Sequence, residues 1–128
     1  MLGTLGYDQA HPAVPPALEF LRKEQEPNGS WYGRWGVNYI YGTWSVLAGL
    51  RAIGLDMNAP WIQKSVTWLE SIQNQDGGWG ESCHSYADSN LAGHGESTAS
   101  QTAWALMGLL QAGASDSLSV VRGVNWLI

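Results

Sequence analysis

Cysteine, phenylalanine and basic residues are scarce in this chain of 128 residues, and each scarcity closes off a class of function. The single cysteine, Cys83, excludes an internal disulfide framework and fits a reducing compartment. Six lysines and arginines against eleven acidic residues leave a net charge of −5. The six are scattered, so neither a phosphate-neutralising face nor a polybasic membrane anchor can be assembled, and no nucleic-acid partner is expected. No apolar run approaches the roughly 20 residues of a spanning helix. No basic stretch leads into an apolar one at the start, so no signal peptide is read. Cys83-His84 has no second cysteine or suitably spaced histidine, and His11 and His94 fall in unrelated segments, so no metal site is expected.

Tryptophan and glycine are abundant instead. Eight Trp and sixteen Gly beside one Phe is a biased choice, since indole is preferred where its N–H has a partner or its electron-rich face is used. The bias is densest between Gln25 and Trp44, where aromatic residues alternate with glycine after a Pro27-Asn28-Gly29 turn.

Part of this stretch repeats. Gly6-Tyr7-Asp8 with Pro12 matches Gly54-Leu55-Asp56 with Pro60, a shift of 48 residues. At the same shift Phe20-Leu21, Gln25 and Gly29-Ser30-Trp31 match Trp68-Leu69, Gln73 and Gly77-Gly78-Trp79. A third copy opens at Arg122–Leu127, and Thr43–Gly54 resembles Thr102–Gly113 at a shift of 59. Repetition at this period marks stacked helical units. Each unit reads as an amphipathic helix, a turn and a helix apolar all round, which is the mark of burial on every side. In the first unit the amphipathic helix is expected over Pro12–Glu26, its stripe made by Val14, Leu18 and Leu21, and the buried helix over Tyr39–Ile53. Their counterparts are expected over Trp61–Gln73 and Ser97–Ala112, with Ser97 as cap, and a last helix opens near Ser117.

The difference of eleven between the shifts places an insertion within Glu81–Glu96, a segment long enough to suggest a functional loop. Alternating amphipathic and buried helices predict two concentric layers, which so few units cannot close. Met1-Leu2-Gly3 reads as the tail of a preceding buried helix, with Leu2 and Leu5 matching Leu50 and Ile53, and Ile128 falls mid-motif. Residues 1–128 are therefore expected to be an internal part of one barrel of a longer protein.

The pattern aromatic–aliphatic, Gln, Gly-x-Trp, present at Phe20–Trp31 and Trp68–Trp79, resembles the QW motif of triterpene cyclases. Gly33–Thr43, Asp76–Cys83 and Ser97–Leu106 are similar to the bacterial branch, the squalene–hopene cyclases. The resemblance implies an all-α protein of two α/α toroid barrels, with this chain from the C-terminal one. It implies an isomerase of hopanoid biosynthesis, monotopic on the cytoplasmic side of the bacterial inner membrane. Such an enzyme draws squalene from the bilayer, attaches to it through parts outside this chain, is often a homodimer, and uses no cofactor.

Cyclising a polyene needs one strong acid at a terminal alkene and walls that tolerate a moving cation. Aromatic faces attract such a cation by about 0.5–2 kcal/mol when desolvated, whereas water or a carboxylate would quench it. In the family the acid sits in an Asp-x-Asp-Asp motif. Here Asp8, Asp56, Asp76, Asp88 and Asp116 are isolated, so no catalytic acid is expected in this chain, which alone should be inert. By resemblance Trp35 lines the cavity near that acid, and Tyr41 supports its re-protonation, a role suited to a phenol that donates and accepts while uncharged. The plain alternative is that both pack between helices, the usual fate of such residues. Tyr39 is open between substrate contact and packing, while Tyr32 and Trp44 read as structural. Gln25, Gly29 and Trp31, with Gln73, Gly77 and Trp79, read as clamps of the scaffold. Asp76, Glu81 and Asp88 read as fasteners of the long loop. The alternatives to this family are an oxidosqualene or other terpene cyclase, a prenyltransferase β-subunit, and a non-catalytic α/α toroid that binds protein.

Overall fold

The computed structural model describes residues 3–128, so the expected match of Leu2 to Leu50 lies outside the described residues. Among those residues the structure is all-helical. Five α-helices follow in order: α1 (Val14–Lys23), α2 (Tyr39–Ala52), α3 (Pro60–Ser71), α4 (Ala99–Gln111) and α5 (Leu118–Leu127). Short 3₁₀ turns occur at Gly3–Leu5, Cys83–Tyr86 and Ser89–Leu91.

The helices are shorter than the apolar pattern suggests, for reasons visible at their ends. At α1 the first turn is built on Pro15 and Pro16 rather than Pro12, as prolines there lose no helical hydrogen bond. Its C-terminal end stops before Glu26, because the Glu26 N–H donates to the Ser30 carbonyl (2.9 Å) and starts a turn instead. The same happens after α3, where Asn74 N donates to Gly78 O (2.9 Å). At α4 the cap is Thr98, whose hydroxyl accepts from Gln101 N (3.2 Å), and not Ser97. Ser97 is occupied elsewhere, donating to Asp76 Oδ1 at 2.8 Å. The α5 helix opens as the sequence suggests, with Ser117 accepting from Ser119 N at 3.2 Å.

Two layers result. The α2 and α4 helices lie side by side as the main helix–helix contact, α3 packs on both, and α5 packs on α4. Gly108 of α4 makes the close approach of the pair workable, since a Cβ there would sit 3.2–3.4 Å from Leu69, Trp44 and Leu47. The core between the layers contains Ile40, Leu47, Ile62, Leu69, Trp79 and Leu109, all without exposure. Truncating such a residue costs about 2–5 kcal/mol. On α1 the stripe points inward, with Val14 buried and Leu18 and Leu21 packed against the core, while Phe20 is exposed.

Candidate functional site

The two repeated turns are built from the same bonds. Trp31 Nε1 donates to Leu21 O and Trp79 Nε1 to Leu69 O, each at 2.7 Å. Their backbone N–H groups donate to Thr43 Oγ1 (3.1 Å) and Thr102 Oγ1 (2.9 Å), tying each turn to the next buried helix. Gln25 Nε2 donates to Gly29 O (2.9 Å) and to Trp61 O (2.8 Å), within the turn and onto α3. Gln73 Nε2 does likewise with Gly77 O and Ser119 O, both at 2.8 Å, reaching α5. The glutamines thus join one unit to the next, and they act here as donors. Gly29 and Gly77 have φ of +99° and +97°, the left-handed region where a side chain is strained, and both abut the next outer helix.

After Trp31 the first unit departs from the second. The chain runs through Gly33-Arg34-Trp35-Gly36-Val37-Asn38 and enters α2 at Tyr39. Gly33 and Gly42 make the fold-back possible: a Cβ on Gly42 would lie 2.2 Å from Trp31 O. Gly36, at φ +92°, rests on the ring of Tyr41, where a Cβ would come within 2.8 Å. Trp35 beside it is 77% exposed, its indole carried on a loop whose backbone is held from both ends. Tyr41 is half-buried and packs edge-on against Trp104 (5.1 Å between centroids) and Trp44 (6.3 Å).

Tyr39 goes elsewhere. Two residues apart on a helix is about 200° of rotation, so Tyr39 and Tyr41 point to different sides. Tyr39 is buried and meets Tyr32 edge-on at 5.7 Å. Burial raises its phenol pKa above 10.0, with Glu26, Glu81 and Tyr32 adding to the effect. Gly36 thus sets the loop that carries Trp35 on the Tyr41 ring of α2, while Tyr39 points to another side of that helix. Trp104, which the motif analysis did not single out, joins Tyr41.

The segment Glu81–Glu96 is an ordered loop whose ends meet, with Ser82 N donating to His94 O (2.9 Å). Its acids fasten more than the loop itself. Glu81 is buried, and its carboxylate accepts from Asn38 N (3.1 Å), Tyr39 N (3.1 Å) and Ile40 N (2.9 Å). A carboxylate facing three free N–H groups at a helix start is favoured by both hydrogen bonding and the helix dipole. Asn38 makes no cap of its own, because its Oδ1 accepts from Gly33 N (3.2 Å). Gln101 completes the knot, donating through Nε2 to Val37 O (3.2 Å) and Glu81 O (3.0 Å). Asp76 accepts from Gly78 N (3.0 Å), Ser97 Oγ (2.8 Å) and Trp126 Nε1 (3.0 Å), which together hold its carboxyl below 3.8. Asp88 accepts from Asn90 N (3.0 Å) within the loop.

What this arrangement offers is aromatic face and edge, with neutral donors and no clustered acid. Among the described residues no group of three His, Cys, Asp or Glu side chains could hold a metal ion. Among them also no helix is long and apolar enough to cross a membrane.

Paired helices in two layers, joined by repeated Gln and Gly-x-Trp turns, define a segment of an α/α toroid of the terpenoid-cyclase type. The chain matches the squalene-hopene cyclase C-terminal domain over residues 1–128, and it belongs to that family. It is 52% identical, over 99% of its length, to the squalene–hopene cyclase of Zymomonas mobilis. It is 53% identical over 98% of its length to that of Alicyclobacillus acidocaldarius, and 46% over 95% to the dammaradiene synthase of Dryopteris crassirhizoma. The chain spans about a fifth (20%) of the length of each of these relatives.

Proposed function

We propose that this chain is one wall of a triterpene cyclase that protonates squalene and closes its rings through carbocations, giving hopene or hopanol. The observation that carries the reading is the Trp35 loop resting through Gly36 on Tyr41 of α2, set in a chain matched along its whole length by the cyclase family. Trp35 offers an exposed indole face and Tyr41 a ring backed by Trp104 and Trp44. Such faces stabilise a passing cation by about 0.5–2 kcal/mol each and cannot trap it. Tyr41 also supports return of the proton to the acid, which lies in an Asp-x-Asp-Asp segment outside these residues. The full protein takes squalene from the membrane it rests on, as a monotopic homodimer on the cytoplasmic side of the bacterial inner membrane.

The test is to incubate the full-length protein with squalene and identify products by mass spectrometry. Pentacyclic products with the mass of squalene, or of squalene plus water, support the reading. Turnover of only the epoxide, or none of either, overturns it. Membrane flotation and size measurement in detergent check attachment and dimerisation separately.

A further inference from the structure

We propose that the Glu81–Glu96 loop is a strap that holds the Trp35 loop against Tyr41, with Tyr86 as its positioning residue. The proposal rests on the reading of Trp35 and Tyr41 as cavity wall.

Tyr86 ends the 3₁₀ turn Cys83–Tyr86, and its hydroxyl proton is shared between the carbonyls of Gly36 and, at 3.2 Å, Arg34. Those two carbonyls flank Trp35. Gly36 in turn lies on the Tyr41 ring, so the phenol of Tyr86 is one backbone residue away from Tyr41. The Tyr86 ring is steadied by Tyr32, edge-on at 6.0 Å. Four further bonds from the same loop converge on the same segment. Asn38 Nδ2 donates to Ser85 Oγ (3.3 Å), and Glu81 accepts the first N–H groups of α2.

The second unit has no counterpart of the Trp35 segment, and the first has no counterpart of the strap. Two unrepeated pieces of an otherwise repeated chain meet each other. A loop carrying an exposed indole has little packing of its own to fix it, so a bond on each side of that residue sets where the indole points. A cation wall displaced by a fraction of an ångström loses its hold on the later cations. A cation that sheds a proton early leaves as an isomer of the substrate with fewer rings, so ring count reports the position of the wall.

The experiment compares full-length wild type with Tyr86→Phe, which keeps the ring and removes only the hydroxyl, and with Tyr86→Leu, which removes both. Hydrogen exchange is followed by mass spectrometry on peptides covering residues 33–41 and 25–31. Losing one hydrogen bond should speed exchange over 33–41 by roughly two- to tenfold and leave 25–31 unchanged. Tyr86→Leu should do so more. In both variants the ratio of partly to fully cyclised product should rise while the melting temperature of Tyr86→Phe stays near wild type. Unchanged exchange over 33–41, or an unchanged product ratio, overturns the proposal. If the wild type makes no product from squalene, the proposed function fails instead, and exchange alone then decides whether Tyr86 straps the loop.

Discussion

Glu81 and Tyr39 are 42 residues apart in the chain, yet the carboxylate of one accepts the backbone N–H of the other at 3.1 Å. The first turn of α2 has no side-chain cap from its own sequence, and Glu81 supplies one from the neighbouring unit. Glu81→Ala leaves buried donors unpaired and should destabilise the full-length protein by about 2–4 kcal/mol. Glu81→Gln keeps an acceptor and loses the charge, so its effect should be roughly half as large. Melting temperatures of the two variants check the order; equal and negligible shifts would remove Glu81 from this role.

Gly29 and Gly77 share a backbone conformation but differ in what stands over them. A Cβ on Gly29 would meet the Lys64 carbonyl oxygen at 2.7 Å, whereas on Gly77 it would meet that of Arg122 at 3.0 Å. The left-handed conformation alone costs alanine about 1–2 kcal/mol, and the contact adds to it. Gly29→Ala should therefore destabilise more than Gly77→Ala, both by at least about 1 kcal/mol. Chemical unfolding of the two full-length variants gives the comparison.

Two groups make stability depend on pH in opposite ranges. Asp76 is held below 3.8 by the Gly78 N–H, then by Ser97 and Trp126. Its folded value is lower than its unfolded one, so its contribution is complete above the unfolded value and is lost as pH falls through the folded one. Tyr39 is raised above 10.0 by burial first. There the neutral phenol is favoured in the folded chain, so its contribution is complete below 10.0 and is lost as pH rises beyond it. Asp76→Asn should flatten the acid limb of the stability profile, and Tyr39→Phe the alkaline limb. Melting temperature across pH, with each variant against wild type, measures both.

Much of the scaffold is legible in the sequence because it repeats. The shift of 48 residues pairs Gln25 with Gln73 and Trp31 with Trp79, and the same bonds recur at both. Asp8 and Asp56, paired by the same shift, accept from the N–H two residues on, at 2.9 Å and 3.0 Å. Periodicity cannot reach what occurs once. Glu81 and Tyr86 act on residues 41 to 52 positions away, from an insertion with no second copy against which to compare it. Thr98 and Ser97 are both good caps by type, and the choice is made by Asp76, which takes the Ser97 hydroxyl. Tyr39 and Tyr41 look equivalent as letters, but helix rotation separates them.

Tyr41 can be tested without disturbing its packing. Its ring meets Trp104 at 5.1 Å and Trp44 at 6.3 Å, and a phenylalanine keeps both contacts. Tyr41→Phe should therefore leave the unfolding free energy of the full-length protein within about 1.5 kcal/mol of wild type, as an isosteric change does. If the hydroxyl helps restore the acid's proton, turnover should fall by roughly 10- to 100-fold with little change in KM, since general acid–base groups contribute on this scale or more. Trp35→Ala removes a cation-facing surface instead. Trp35 is 77% exposed within this segment, and removing its indole should shift product composition toward fewer rings. Measured side by side, kcat, KM and product profile separate the two roles. Wild-type values in both variants would assign Trp35 and Tyr41 to packing alone.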